Sequence, residues 1–203
     1  MASSKTEICN LGLTHLGISK EINNIDTEVS ANAKACRRWF DSARDETFRD
    51  FNWPFATKYA TLGLIEETPN TDWAYSYRYP VDCMRFRKIL NTVRNDSRQS
   101  RVPSEIASDD SGKLIFCDTE GALGKYTKKV TDVTLFTQDY VNMLSLLLAT
   151  YIAPSVTAGD PFKLGERAFN LYNISKAKAE ATAFNEQQDD EVVESEFIRV
   201  REG

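Results

Sequence analysis

The chain has one histidine, His15, so any Ser-His-Asp or Cys-His nucleophile would have to act through it. It sits in Leu13-Thr-His-Leu-Gly17, near the C-terminal end of a helical run, where the helix dipole favours a partly exposed, helix-end histidine. A single histidine also rules out multi-histidine metal sites. The four cysteines, Cys9, Cys36, Cys83 and Cys117, form no CxxC pair and have no histidine at ligand spacing. A zinc site is therefore not expected, and the cysteines read as free thiols of a reducing cytoplasm. Gly121-Ala-Leu-Gly-Lys125 has the outline of a phosphate loop. The GxxxxGK[ST] pattern, however, needs glycine where Thr119 stands and a hydroxyl residue where Tyr126 stands, so a hairpin turn is expected. The acidic pairs Asp45-Glu46, Glu66-Glu67 and Asp109-Asp110 lie in polar surroundings that would not separate two carboxyl pKa values. They read as solvated surface. No catalytic, cofactor-binding or metal-ligating residue is assigned, and the chain reads as a non-enzyme.

Binding chemistry has more candidates. Arg78, Arg85, Arg87, Lys88, Arg94, Arg98 and Arg101 lie in a stretch whose only acids are Asp82 and Asp96. They form either a basic surface for nucleic acid or for an acidic partner, including the acidic tail of a neighbouring copy, or simply the outward positions of strands. Trp73, Tyr75, Tyr77 and Tyr79 alternate with Ala74, Ser76 and Arg78, the period-two pattern of a strand with one aromatic face. That face is either the inside of a sheet or a stacking platform for bases or sugar. With a net charge of -5, the whole chain is a poor candidate for tight non-specific DNA binding, which rests on phosphate attraction.

Helices must frame this middle region. Ser4 with Glu7 fits a capping box, Ile8, Leu11 and Leu16 supply apolar positions, and Gly17 is a stop. Val29, Ala33, Cys36, Phe40, Ala43 and Thr47 make one stripe of a helix over about 29–51, with Pro54 ending it. Arg37, Arg38, Asp41, Arg44, Asp45 and Arg49 fall on its other faces, Arg37/Asp41 and Asp45/Arg49 as i,i+4 pairs. Strands are expected at 57–64, pairing with the aromatic strand, and at 86–93, 113–117 and 122–130. Thr137 opens a helix to about Ala153, where Pro154 ends or kinks it. Its run Met143–Ala153 is too short for a membrane span and reads as a buried core helix. Asp160-Pro161 reads as N-cap and first position of a last helix to about Gln187, with Leu164, Ala168, Leu171, Tyr172, Ser175 and Ala179 on one face. Glu186 to Glu196 then contains Asp189, Asp190, Glu191 and Glu194 and no basic residue, before the strand-like Phe197-Ile-Arg-Val-Arg201.

The expected fold class is α+β: an antiparallel four-helix bundle (1–54 and 136–188), a β-rich insertion between helices 2 and 3 (55–135), and an extended C-terminal tail (189–203). No targeting segment is expected, since the first twenty residues contain no continuous apolar stretch.

Four phrases carry a resemblance. They are Ile8-Cys-Asn-Leu-Gly-Leu-Thr-His-Leu-Gly17; Ala35-Cys-Arg-Arg-Trp-Phe-Asp-Ser-Ala-Arg-Asp45, continuing to Phe51-Asn-Trp-Pro-Phe-Ala56; Trp73-Ala-Tyr-Ser-Tyr-Arg-Tyr-Pro-Val-Asp-Cys83; and the alanine-rich run from Asp160 to Ala183. In their order and spacing, over roughly 5–185, they resemble the head-to-tail adaptor proteins of tailed phages, the tail tubular protein A type included. The resemblance implies a four-helix bundle with a β insertion and no catalytic residues. It also implies a ring, usually dodecameric, beneath the portal, with a tail or nozzle protein on the other side. Genomic DNA would pass through the lumen without specific binding. The expected location is the head-tail junction of the virion, after synthesis in the host cytoplasm, with no membrane partner. By the same resemblance Phe197, Ile198, Arg199, Val200 and Arg201 would contact the portal or a neighbouring subunit. The rival reading is a nucleic-acid-binding module using 78–101.

Overall fold

The computed structural model describes residues 4–90 and 102–186. These residues divide into a helical unit (4–56 and 129–183) and a β unit centred on 57–128.

In the helical unit, α1 (Lys5–His15) starts as expected: the Ser4 hydroxyl accepts from the Glu7 amide at 3.2 Å. It ends on Gly17 at φ +74°, whose amide donates to the Thr14 carbonyl. The buried residues of α1 are Ile8, Cys9, Gly12 and Leu13. A Cβ at Gly12 would meet the Ser145 carbonyl at 3.2 Å, so glycine is what lets α1 settle closely on α3 (Gln138–Val156). The α2 helix (Ala31–Asp50) buries the expected stripe from Ala33 to Thr47, and Ser30 caps it. Val29 falls outside the helix and is 72% exposed, contrary to the expected stripe. The Pro54–Ala56 segment is a short 3-10 turn.

The α3 helix is buried on nearly every side, from Tyr140 to Ala153, as expected of Met143–Ala153. Pro154 does not end it: the proline lies within its last turn, where only the bond to the Thr150 carbonyl is forfeited. The α4 helix (Leu164–Glu186) begins three residues later than expected. Asp160 takes a left-handed conformation, and its carboxylate reaches forward to accept from the amides of Leu164 (2.7 Å) and Gly165 (2.8 Å). Pro161 therefore sits in the turn and not at the first helical position. Ala168, Tyr172 and Ala179 are buried as expected, while Leu171 is exposed.

The four-helix bundle is not what the chain forms. The described residues are a mixed α/β arrangement of four helices, placed towards both ends of the chain, and two antiparallel sheets with seven strands. The reason lies in how the helical core is filled. A bundle core is a seam of side chains from four helices of similar reach. Here α1 is 11 residues long and α4 is 23, and α4 buries chiefly a narrow line of small residues. Aromatic rings from outside the four helices also enter this core. Trp53, Phe55 and Phe136 pack on Phe48 and Tyr140, with ring centroids 4.9–6.1 Å apart. Trp53 Nε1 donates to the Thr47 carbonyl at 2.8 Å, and the Thr47 and Tyr140 hydroxyls lie 2.7 Å apart.

The β unit holds β1 (Thr57–Thr61), β2 (Gly63–Glu67), β3 (Tyr75–Arg78), β4 (Cys83–Ile89), β5 (Glu105–Asp109), β6 (Gly112–Cys117) and β7 (Leu123–Lys128). One sheet has the order β1-β7-β4 and the other β2-β3-β6-β5. The single strand expected at 57–64 divides at Leu62. Its first part pairs with β7, and only β2 pairs with the aromatic strand β3. Leu62 turns its side chain inward while its amide donates to the Ala122 carbonyl. Leu62, Tyr77, Ile89, Ile115, Cys117 and Ala122 form the core between the sheets, with Tyr75, Tyr79, Phe86 and Val102 packed on it. At Gly124 a Cβ would lie 2.9 Å from the Phe86 ring and 3.0 Å from Leu62, so β7 can carry only glycine there without displacing that core. The β5 strand lies outside the strands expected from the sequence. The Gly121–Lys125 segment is not a hairpin: it leads from β6 in one sheet to β7 in the other.

Candidate interaction surface

The expected basic stretch does not form one patch. Arg78 belongs to β3 and pairs with Asp109 at 3.1 Å across the four-stranded sheet. Its partner carboxylate is held below the usual range, chiefly by that hydrogen bond. Arg94, Arg98 and Arg101 lie outside the described residues, as do Phe197, Ile198, Arg199, Val200 and Arg201. Arg85, Arg87 and Lys88 belong to β4, and the register of the three-stranded sheet gives them new neighbours.

In that sheet Tyr59 of β1 stands opposite Lys125 of β7, which stands opposite Lys88 of β4. One step along, Thr57, Thr127 and Arg85 are in line. The ladder between β4 and β7 is irregular between Phe86 and Lys88. A bulge of this kind breaks strict alternation, and the Arg87 guanidinium reaches the same face. It donates to Thr57 Oγ1 at 2.9 Å and to Thr127 Oγ1 at 2.8 Å. The Lys125 ammonium lies 5.5 Å from the Tyr59 ring centroid, a cation–π contact. Tyr59 is 55% exposed, and Leu123, Thr61 and Arg85 are exposed beside it.

The strands β1, β4 and β7 contain no aspartate or glutamate. The other sheet carries Glu66, Glu67, Glu105 and Asp109 against Arg78 and Lys113. Charge is thus segregated between the two sheets, although the stretch 57–90 with 102–128 is nearly balanced. Burial, reinforced by the Arg85 charge, pushes Arg87 down to about 10, which leaves it cationic at neutral pH. Lys88 and Lys125 stand directly opposite each other across the strands. The arrangement is suited to an anionic surface or segment.

Sequence reading missed Tyr59 and Lys125. Each is unremarkable in its own strand, and only the pairing of β1 and β4 on either side of β7 brings them to Arg85 and Arg87. On the opposite face of this sheet, Asp82 accepts from Lys58 Nζ (2.7 Å) and from the Tyr126 hydroxyl (2.9 Å).

The aromatic strand is resolved in favour of the inner face. Tyr77 is buried, and its hydroxyl donates to the Thr119 carbonyl at 2.7 Å. Tyr75 and Tyr79 pack on the same core. Trp73 precedes β3, and its indole donates to Glu105 at 3.0 Å.

The groups with reactive potential have structural partners. His15 ends α1, and its Nε2 lies 3.1 Å from the Ser145 hydroxyl, which itself donates to the Asn142 carbonyl. Ser145 is fully buried in α3, so the pair ties the end of α1 to α3. Loss of hydration pulls His15 below its ordinary value. Cys9 and Cys36, distant in sequence, meet as a buried, hydrogen-bonded thiol pair between α1 and α2; the partner thiol and burial push Cys9 up. Burial pushes Cys83 up to about 11. Asp45 pairs with Arg44 and Lys129, each at 2.7 Å, and Glu46 accepts from the Tyr151 hydroxyl. Among the described residues there is no group of three or more His, Cys, Asp or Glu placed to hold a metal ion. Nor is any helix among them long and apolar enough to cross a membrane. The chain matches no protein-family model and no curated protein.

Proposed function

We propose that this chain is a ring-forming virion protein that joins a tailed phage's portal to its tail or nozzle and lines part of the DNA channel. The resemblance in sequence introduces this reading, and one structural observation supports it best. Large apolar side chains stand exposed in both units: Val29 and Phe162 (81%) in the helical unit, Val81 and Tyr59 in the β unit. Neighbouring copies and the portal would cover such residues. The net charge of -5 keeps a passing duplex from adhering to the channel. Electron microscopy of portal mixed with the full chain tests the reading: rings on portal are expected, and bare portal across a range of salt concentrations would sink it.

A second reading, a nucleic-acid-binding module, draws on Arg85, Arg87, Lys88 and Lys125 beside Tyr59. It expects duplex binding whose affinity falls steeply with salt, which fluorescence anisotropy with the full chain would measure.

A further inference from the structure

We infer that the cationic face of the β1-β7-β4 sheet is the docking surface for the acidic C-terminal segment, 186–196, of a neighbouring copy. The inference rests on the adaptor reading for the presence of neighbours in a ring. Three observations carry it. Arg85, Arg87, Lys88 and Lys125 converge on one face of strands that contain no carboxylate. That face combines charge with the exposed apolar surface of Tyr59 and Leu123. The chain itself supplies a complement: beyond α4, which ends at Glu186, come Asp189, Asp190, Glu191, Glu194 and Glu196, with Val192 and Val193 among them.

The dimensions agree. An extended chain covers up to about 3.5 Å per residue, so 187–196 can span ~35 Å. Crossing the sheet from β1 to β4 requires only ~10 Å. Duplex DNA is the less favoured occupant, because the chain as a whole carries net negative charge whereas the acidic segment is held at high local concentration within a ring. Docking would direct Phe197–Arg201 onward to the portal or the next subunit, and it makes ring closure sensitive to salt.

The test is zero-length carbodiimide cross-linking of an equimolar mixture of isotopically labelled and unlabelled full chains. It is run on rings assembled on portal and on the concentrated chain alone at low salt. Mixed-isotope cross-links from Lys88 or Lys125 to acids of 186–196, lost in high salt, are expected. Two charge-reversed chains sharpen the result. One carries Arg85→Glu and Lys125→Glu; the other carries Asp189→Lys, Asp190→Lys and Glu191→Lys. Each alone should lose the association, and mixing the two should restore it. Cross-links confined to single chains would overturn the inference. So would rings on portal without these cross-links, a result that leaves the adaptor reading standing. Salt-sensitive duplex binding that the face reversal abolishes, with association unchanged by either reversal, would assign the face to nucleic acid instead.

Discussion

Arg44 is the residue on which the polar chemistry of the helical unit depends. It is only 2% exposed, and its guanidinium meets Asp41 at 2.8 Å and Asp45 at 2.7 Å. Breaking a buried ion pair from one side strands the remaining charge and typically costs about 3–5 kcal/mol. Here Asp45 keeps Lys129 and Asp41 is well exposed, so Arg44→Ala should cost about 3 kcal/mol, the lower end of that range. Arg44→Met, which preserves most of the packed volume, should cost less. Urea denaturation compares the two, and equal losses would contradict the account. Asp45 adds a pH dependence. Burial raises its pKa, but the hydrogen bonds and charges of Lys129 and Arg44 outweigh burial and leave it below the ordinary value. A depressed carboxyl pKa stabilises the fold above the unfolded value of about 3.9, and the benefit disappears as pH falls through the folded value. Lys129→Met should therefore lower the urea midpoint at pH 7, and the gap from the unaltered chain should narrow below pH 4. A gap independent of pH would mean that Lys129 acts by packing alone.

At the scale of elements, the turn between α3 and α4 is held by one side chain. Ala158, Asp160 and Lys163 all have positive φ, and the Asp160 carboxylate satisfies the first two amides of α4. Asp160→Ala removes the cap but keeps a side chain at φ +62°, so it should cost about 1–2 kcal/mol. For a domain of this size that is a fall of roughly 2–8 °C in melting temperature. Asp160→Gly loses the same cap yet accepts the left-handed backbone without strain. Glycine should thus be the milder change, a reversal of the usual preference for alanine in helical regions. If calorimetry finds alanine the better tolerated, the positive φ is not what the site requires. The same turn leaves Phe162 exposed, one of the apolar residues a neighbouring subunit would cover.

For the whole molecule, the prediction concerns the C-terminal residues. Deletion after Gln188 removes both the acidic run and Phe197–Arg201. It should leave the melting temperature of the remaining chain unchanged, since an acidic run of this composition offers little apolar surface to bury. Attachment to portal should be lost. Binding that survives the deletion would remove the anchoring role from these residues, and early melting would show that they serve their own subunit. The chain's net charge of -5 would shift towards neutrality on this deletion, because the acids lost outnumber Arg199 and Arg201.

The order of elements, and most of the inward faces of the helices, were legible in sequence. Local signals determine these features: Ser4 caps α1, Gly17 stops it, the Ala33–Thr47 stripe faces inward, and Tyr75, Tyr77 and Tyr79 share one side of a strand. Each such signal depends on residues within a turn or two of one another. What the sequence withheld depends on partners far along the chain. Periodicity marks which side of a helix is apolar but not which helix covers it, so the bundle was expected where a mixed α/β arrangement forms. Arg44 reads as surface in its helix, but in the fold it is only 2% exposed, and its neighbour Asp45 pairs with Lys129, 84 residues further on. The break at Leu62 is invisible in a run of strand-forming residues, because it is imposed by β7 pairing with β1 and β3 with β2. The cationic face required the tertiary structure for the same reason: strand pairing alone joins Tyr59, Lys125 and Arg85 across 66 residues of chain and sets Arg78 on the other sheet, beside Asp109.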